Sequence, residues 1–145
     1  VTVQQIEDAG FRAALFGTPA DWQQAGTGYI ARVIAAGEAW VKAEVGDALY
    51  ATTTGLVGYA LAQAELCWVR AELWRRRAAF LDANAFAALE SSAASERRTY
   101  TAQSDDAMAC ARDWIASAKA GESTQASSGV ALAYVETGPY AGASS

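Results

Sequence analysis

Alanine content constrains the fold of this chain more than any other feature. Thirty-six of the 145 residues are alanine, and only 2 are proline. Alanine has the highest helix propensity of the amino acids, and proline is the strongest helix breaker. Because 52% of the residues are hydrophobic and 19% are charged, we expect a packed core rather than a disordered chain. The sequence therefore predicts an all-α protein, and its length fits one domain.

The spacing of apolar residues predicts where the first helices lie. Thr2 and Gln5 form a capping-box pattern at the start of a short first helix. A second helix is predicted from 29 to 45, because its apolar side chains fall on one narrow arc and Gly46 follows as a stop signal. Gly37 lies on that arc, where the absence of a side chain would let another helix approach closely.

The third predicted helix is long, running from a cap at Thr54 to about Asp82, and carries two apolar stripes on opposite sides. The first stripe consists of Val57, Leu61, Ala64, Trp68 and Ala71. The second consists of Tyr59, Leu66, Leu73 and Phe80. A helix on the outside of a monomeric bundle needs only one apolar stripe. This helix is therefore either central in the domain or shared with a neighbouring subunit, and we favour the second stripe as a subunit interface.

The remaining elements are predicted from composition and capping signals. Residues 91–103 are polar and predict a loop, and a fourth helix is expected from a cap at Ser104 to a stop at Gly121. The sequence thus predicts a helical domain over 1–120, with about four helices arranged around the long one. An extended C-terminal tail is predicted over 121–145.

The tail is predicted to bind a partner through a short strand-like segment. Its apolar residues alternate, as expected for a strand added to the edge of a partner's sheet. The candidate partner-binding residues in the tail are Val130, Leu132, Tyr134, Val135 and Tyr140.

Charge is distributed unevenly along the chain. Residues 1–64 carry 3 basic and 6 acidic groups, residues 65–98 carry 6 and 5, and residues 99–145 carry 2 and 5. A net charge of -5 argues against a protein that binds nucleic acid over its whole surface. The middle of the chain is therefore a local basic belt between acidic flanks.

The arginines that follow Trp74 have two interpretations. Arg75, Arg76 and Arg77 could contact a partner, or they could form a solvated helix side on which Glu72 pairs with Arg75 and Arg76. Arg70 and Arg77 share a strip without an acidic helix neighbour. Together with Trp74 and Trp22, they complete the candidate partner-binding residues.

Several chemistries are excluded by residue types. Histidine is absent, which rules out imidazole-activated nucleophiles and histidine-bound zinc. Cys67 and Cys110 form no metal-binding motif, and we expect two buried thiols in a reducing compartment. Asp105 and Asp106 are better explained as helix-capping residues than as metal ligands. We therefore expect no enzyme activity, no catalytic residues, no cofactor and no metal. We also expect no targeting segment and no membrane span.

The order of these elements resembles the head–tail adaptor, or connector, proteins of tailed bacteriophages and related gene-transfer particles. The likeness lies in the short first helix and in the segment from Ala35 to Val41 that leads through Val45-Gly46 to Leu49-Tyr50. It continues in the alanine-rich helix, from 59 to 66 and from 71 to 73. It covers roughly residues 2–90 and leaves out the tail.

The resemblance implies a small helical bundle that assembles as a homo-oligomeric ring, typically a dodecamer, beneath the portal protein in the virion neck. A stopper or tail-completion protein would attach on the other side, and the C-terminal tail would dock on a neighbouring protein. DNA would pass through the lumen without sequence-specific binding, and the parts would be assembled in the host cytoplasm.

Two other functions remain open at this point. The chain could be a stand-alone helical interaction module, such as a regulator or a chaperone that acts as a monomer or a dimer. A helical enzyme without histidine is the third hypothesis, and the absence of a convergent acid–base set counts against it.

Overall fold

The computed structural model of the chain describes residues 1–16, 22, 28–84 and 90–136. These residues form an all-α bundle with no strand, as the composition predicts. The elements, in chain order, are α1 (Val3–Asp8), a 3-10 helix (Ala13–Leu15), α2 (Tyr29–Val45), α3 (Asp47–Tyr50), α4 (Gly55–Asn84) and α5 (Glu90–Glu136). No helix in the described ranges is long and apolar enough to cross a membrane.

The predicted start of the first helix and the predicted bounds of the second helix are confirmed, whereas the first helix ends already at Asp8. The Thr2 hydroxyl accepts from the backbone N–H of Gln5, and the Gln5 side chain accepts from the backbone N–H of Thr2. Both bonds of the capping box are therefore present. Helix α2 has the predicted bounds, and Gly46 follows it with a φ of 82°, a left-handed conformation that favours glycine.

Helices α4 and α5 form an antiparallel hairpin. Trp74 stacks on Tyr100, Cys67 is bonded to Cys110, and a Cβ built on Gly121 would lie 3.0 Å from Cγ2 of Val57. Residues earlier in α4 contact residues later in α5, as expected for two antiparallel helices. The register places Gly121 opposite the first turn of α4.

The predicted loop over 91–103 is wrong, because α5 runs through it without a break. Polar side chains in this stretch bond to their own helix: the hydroxyls of Thr99 and Thr101 donate to the carbonyls of Ser95 and Arg97. Hydroxyl residues in such a pattern do not require a loop. Their polarity alone therefore did not mark the end of a helix.

The predicted helix start at Ser104 is also wrong. Ser104 lies in the middle of α5 and is buried, and its hydroxyl donates to the carbonyl oxygen of Ala71 on α4 at 3.0 Å. The side chain therefore joins two helices instead of capping one. The predicted stop at Gly121 is wrong as well, since α5 continues to Glu136.

The C-terminal segment differs from its prediction in secondary structure. Residues 121–136 belong to α5 and cross the predicted domain boundary as helix, so the strand-like segment over 130–135 is wrong. Adding residues to an existing helix is far easier than starting one, so α5 can extend through this segment. The backbones of Val130, Leu132, Tyr134 and Val135 are therefore helical. Tyr140 lies outside the described residues.

Two buried clusters hold the elements together. The alanine core joins α2, α3, α4 and α5, and its buried members are Val41, Leu49, Val57, Ala60, Leu61, Ala64, Ile115 and Ala118. The aromatic core joins the N-terminal segment to α2 and α4, and its buried members are Ile6, Phe11, Trp22, Ile30, Val33, Val69 and Leu73.

Gly37 allows α2 to approach α4 closely, as predicted. A Cβ at this position would lie 3.1 Å from Cγ2 of Val69 and 3.2 Å from Cε3 of Trp68. These distances leave almost no room for a side chain. The contact sets the spacing between the two helices, and so positions the surfaces of α4 described below.

Candidate interaction surfaces

The second apolar stripe of α4 does not form one continuous outer face. Tyr59 and Phe80 are both 56% exposed, whereas Leu73 is 0% exposed and Leu66 is half-buried against the aromatic core. Leu73 contributes to the chain's own core, so its prediction as a subunit-interface residue is wrong. The N-terminal segment, which includes Ile6, covers the middle of the stripe, and no helical wheel of α4 could include it.

The exposed end of this stripe belongs to a patch that the sequence argument described only in part. We call Leu56, Tyr59 and Trp114 the end patch. Leu56 is 84% exposed, and the ring of Tyr59 packs edge-on against Trp114 of α5 at 5.6 Å between ring centroids. Leu56 precedes Tyr59 by three residues, a spacing that places both on one side of a helix. This spacing could have placed Leu56 in the patch from the sequence alone.

The three arginines after Trp74 all have partners within the chain. Arg75 makes the predicted ion pair with Glu72 at 2.8 Å. The guanidinium carbon of Arg76 lies 4.2 Å from the ring centroid of Tyr29. Arg77, which sequence reasoning left available to a partner, donates from Nη1 to the carbonyl of Leu15 at 3.0 Å. These contacts favour the interpretation of the run as a structural helix side.

The contact between Arg76 and Tyr29 also affects the phenol. Burial raises the pKa of Tyr29, and the nearby positive charge of Arg76 offsets part of that rise. The arginine therefore lies in a cation–π contact with a residue that packs against the aromatic core.

The tryptophans predicted as interface anchors have different environments. Trp22 is 1% exposed, its ring stacks on Phe16 at 5.1 Å, and its Nε1 donates to Glu7 Oε1 at 3.4 Å. Its prediction as a partner-binding residue is therefore wrong. Trp74 is half-buried, with ring centroids 4.9 Å from Phe11 and 5.4 Å from Tyr100. It belongs partly to the core and partly to the surface between α4 and α5.

A cleft of about 350 Å³ opens beside Trp74, and we call it the Arg70 cleft. Its lining residues are Arg70, Trp74, Gln103, Asp106, Ala107 and Cys110. The Nε of Arg70 is buried and has no hydrogen-bond partner in the described part of the chain. Arg70 thus differs from the three following arginines, each of which has an intramolecular partner.

Cys67 and Cys110 form a disulfide, so the prediction of two thiols is wrong. Their Cα atoms are 6.0 Å apart, within the usual range for a disulfide. The antiparallel register brings together residues separated by 43 positions, which spacing in the sequence alone does not reveal. The expectation of a reducing compartment relied on free thiols, and the disulfide removes that basis.

A buried carboxylate on α4 is hydrogen-bonded to α3. Glu65 lies on α4 with 8% of its surface exposed, and its Oε1 accepts from the Tyr50 hydroxyl at 2.8 Å. The amino group of Val1 lies 3.3 Å from Oε2. Burial, together with the hydrogen bond to Glu65 and its charge, raises the pKa of Tyr50. The Tyr50 hydroxyl thus gives this buried carboxylate a partner within the chain.

No three residues among His, Cys, Asp and Glu come together as a metal site in the ranges that the structure describes. No family model matches the chain, and no match was found among curated proteins or solved structures. The candidate surfaces are therefore interpreted from their own geometry.

Proposed function

We propose that this chain is a non-enzymatic structural subunit of a head–tail adaptor. Copies of it would form a ring in the virion neck, beneath the portal of a tailed bacteriophage or a related gene-transfer particle. DNA would pass through the lumen without sequence-specific binding. A portal and a stopper or tail-completion protein would contact opposite sides of the ring.

The observation that carries this proposal is the end patch. Leu56 and Tyr59 are large apolar side chains that remain mostly exposed at the start of α4. Burying such a side chain is worth about 1.5–3 kcal/mol, which a contact with another copy or another protein would recover. In a ring, each copy would present its end patch to a different surface of the next copy.

The length of α5 is consistent with this role. Gly121 lies opposite Val57, near the start of α4, and α5 continues from there to Glu136. The continuation is about four helical turns long. A helical arm that starts beside the end patch would give each subunit a second element for contacting a neighbour, the portal or the stopper.

Assembly on capsids tests the proposal. Purified protein is mixed with tailless, portal-bearing capsids from the same source, and the neck is imaged by electron microscopy. We expect a ring at the portal vertex. The double variant Leu56→Ser/Tyr59→Ser should lose the ring and keep its helical circular dichroism spectrum.

Leu15→Ser is the matched control, because Leu15 is also exposed but belongs to the 3-10 helix rather than to the end patch. It should assemble like the unmodified chain. A protein that leaves the portal bare, and that stays a dimer at every concentration, would contradict the adaptor role. That result would favour a stand-alone interaction module.

A further inference from the structure

We infer that the Arg70 cleft is a binding site for a carboxylate. The cleft lies between α4 and α5, and its volume of about 350 Å³ suits a small group or a single inserted side chain. Arg70 and Trp74 line it from α4, and Gln103 and Asp106 line it from α5. None of these residues takes part in the end patch, so the site stands apart from the surface that carries the proposed function.

Arg70 provides the first argument. Its Nε is buried without a hydrogen-bond partner in the described residues, although Arg75, Arg76 and Arg77 on the same helix all have intramolecular contacts. A buried N–H on a charged group without an acceptor is costly, and such groups in native proteins are nearly always satisfied. Because Nε is closed to solvent, an acceptor that enters the cleft would reach it only after the Arg70 side chain turns toward the cleft.

The neighbours of Arg70 indicate which acceptor fits. The Nε and Nη groups of a guanidinium form a flat fork that matches the two oxygens of a carboxylate. Asp106 borders the same cleft, and its negative charge would oppose the second charge of a phosphate. Trp74 offers an apolar ring to the carbon chain of the ligand, and the Gln103 amide can donate a further hydrogen bond.

The disulfide fixes the shape of the cleft. Cys110 is one of the lining residues and is bonded to Cys67, which precedes Arg70 by one helical turn. The two helices therefore cannot separate at this point. A site held open in advance loses less conformational entropy on binding than one that must form around its ligand.

The carboxylate can come from a second copy of the chain or from a small molecule. The chain carries 16 acidic and 11 basic residues, so a neighbouring copy presents many carboxylates. A carboxylate from a neighbour would make the cleft part of the proposed ring, whereas a small carboxylate would make it an independent ligand site. The inference itself holds without the proposed function.

Nuclear magnetic resonance of the arginine Nε–H groups tests the site in both settings. The Arg70 signal is assigned by its absence from Arg70→Gln. In the first arm, dilute protein is titrated with acetate, with phosphate or with chloride at matched ionic strength. In the second arm, protein concentration is raised without added carboxylate, and the mass of the species is measured in parallel.

We expect the Arg70 Nε–H signal to shift saturably, either with acetate or with self-association, and the responding arm identifies the source. Arg70→Gln should weaken that response at least about tenfold, since it removes the guanidinium fork. Arg75→Gln is the matched control and should leave the response unchanged, because Arg75 already pairs with Glu72. Asp106→Asn should allow phosphate to bind.

Two results would overturn the inference. The Arg70 signal could remain fixed in both arms, which would mean that water alone satisfies Nε. Alternatively, phosphate could shift it as strongly as acetate, which would remove the preference for a carboxylate. If Arg70→Gln fails to fold, Arg70→Lys, which keeps the charge but also lacks the guanidinium Nε–H, assigns the signal, and the titrations of the unmodified protein and of Arg75→Gln still decide the matter. An absence of rings on capsids would leave a positive acetate titration intact.

Discussion

The alanine core and the aromatic core hold different kinds of structure together. The alanine core lies where long helices meet, and small residues such as Ala60, Ala64 and Ala118 let the helix backbones approach closely. The aromatic core lies where the N-terminal segment meets α4, and large side chains such as Phe11 and Trp22 fill the space. Small residues suit contacts between regular helices, whereas large residues suit a segment with little regular structure.

The two cores should therefore respond differently to mutation. Truncating a large side chain in the aromatic core leaves a cavity that the short N-terminal elements must collapse to fill. Truncation in the alanine core removes fewer atoms, because none of its buried members is aromatic and three are already alanine. The largest change in the free energy of unfolding is therefore expected in the aromatic core.

Trp22→Ala should have the largest effect, a loss of about 3–5 kcal/mol in the free energy of unfolding. Trp22 is buried, and its ring stacks on Phe16 while its Nε1 donates to Glu7. Urea unfolding followed by circular dichroism measures the loss. Trp40→Ala is the control: Trp40 is only partly buried beside the alanine core and should lose clearly less. Equal losses would break the contrast between the cores.

Removal of the disulfide should rank second, at about 2–4 kcal/mol. Cys67 lies on α4 between Ala64 of the alanine core and Val69 of the aromatic core. Loss of the disulfide should therefore weaken both cores. Unfolding of the unmodified protein with and without reductant gives the size of the effect. The double variant Cys67→Ala/Cys110→Ala should be insensitive to reductant. Two alkylatable thiols in protein purified under air would contradict the bond.

Helix positions were predictable where the signal lies within a few residues. The capping box at Thr2 and the ion pair of Arg75 with Glu72 join residues three apart, and the apolar arc of α2 repeats every turn. Gly37 was predictable for the same reason, because it lies on that arc. Such local patterns determine secondary structure and short-range pairing.

The errors concern contacts between residues far apart in the chain. Ser104 bonds to Ala71, 33 residues away, and so resembles a cap only when α5 is considered alone. Arg77 bonds to Leu15 across 62 residues, and its availability to a partner could not be judged from α4. The Arg70 cleft was anticipated only through Arg70 and Trp74, since its other wall comes from α5.

Ser104→Ala should have a smaller effect than either change above, a loss of about 1 kcal/mol for one hydrogen bond between α4 and α5. Ser104→Asp separates the two roles of this residue. An aspartate is a good helix cap, but at this buried position it would place a charge against Ala71. We therefore expect Ser104→Asp to be less stable than Ser104→Ala in urea unfolding. If Ser104→Asp were the more stable variant, Ser104 would act as a helix cap, as the sequence predicted.

The smallest predicted effect is a difference in alkaline stability that reports on each core separately. Tyr50 is packed against the alanine core and Tyr29 against the aromatic core, and both have a folded-state pKa above the ordinary 10.0. The folded chain then keeps a proton that the unfolded chain releases. Stability from these phenols is fully present below about pH 10 and falls as pH rises further.

Tyr50→Phe should reduce the loss of folding stability at alkaline pH more than Tyr29→Phe does. The positive charge of Arg76 offsets part of the rise in the pKa of Tyr29, whereas Glu65 adds to the rise for Tyr50. Near pH 10.5 the loss for one such phenol is at most about 0.8 kcal/mol, and it is smaller at a partly exposed hydroxyl because solvent screens the charge. Urea midpoints compared at about pH 9 and about pH 10.5 measure it. A larger change in Tyr29→Phe would mean that Glu65 does not raise the pKa of Tyr50 above that of Tyr29.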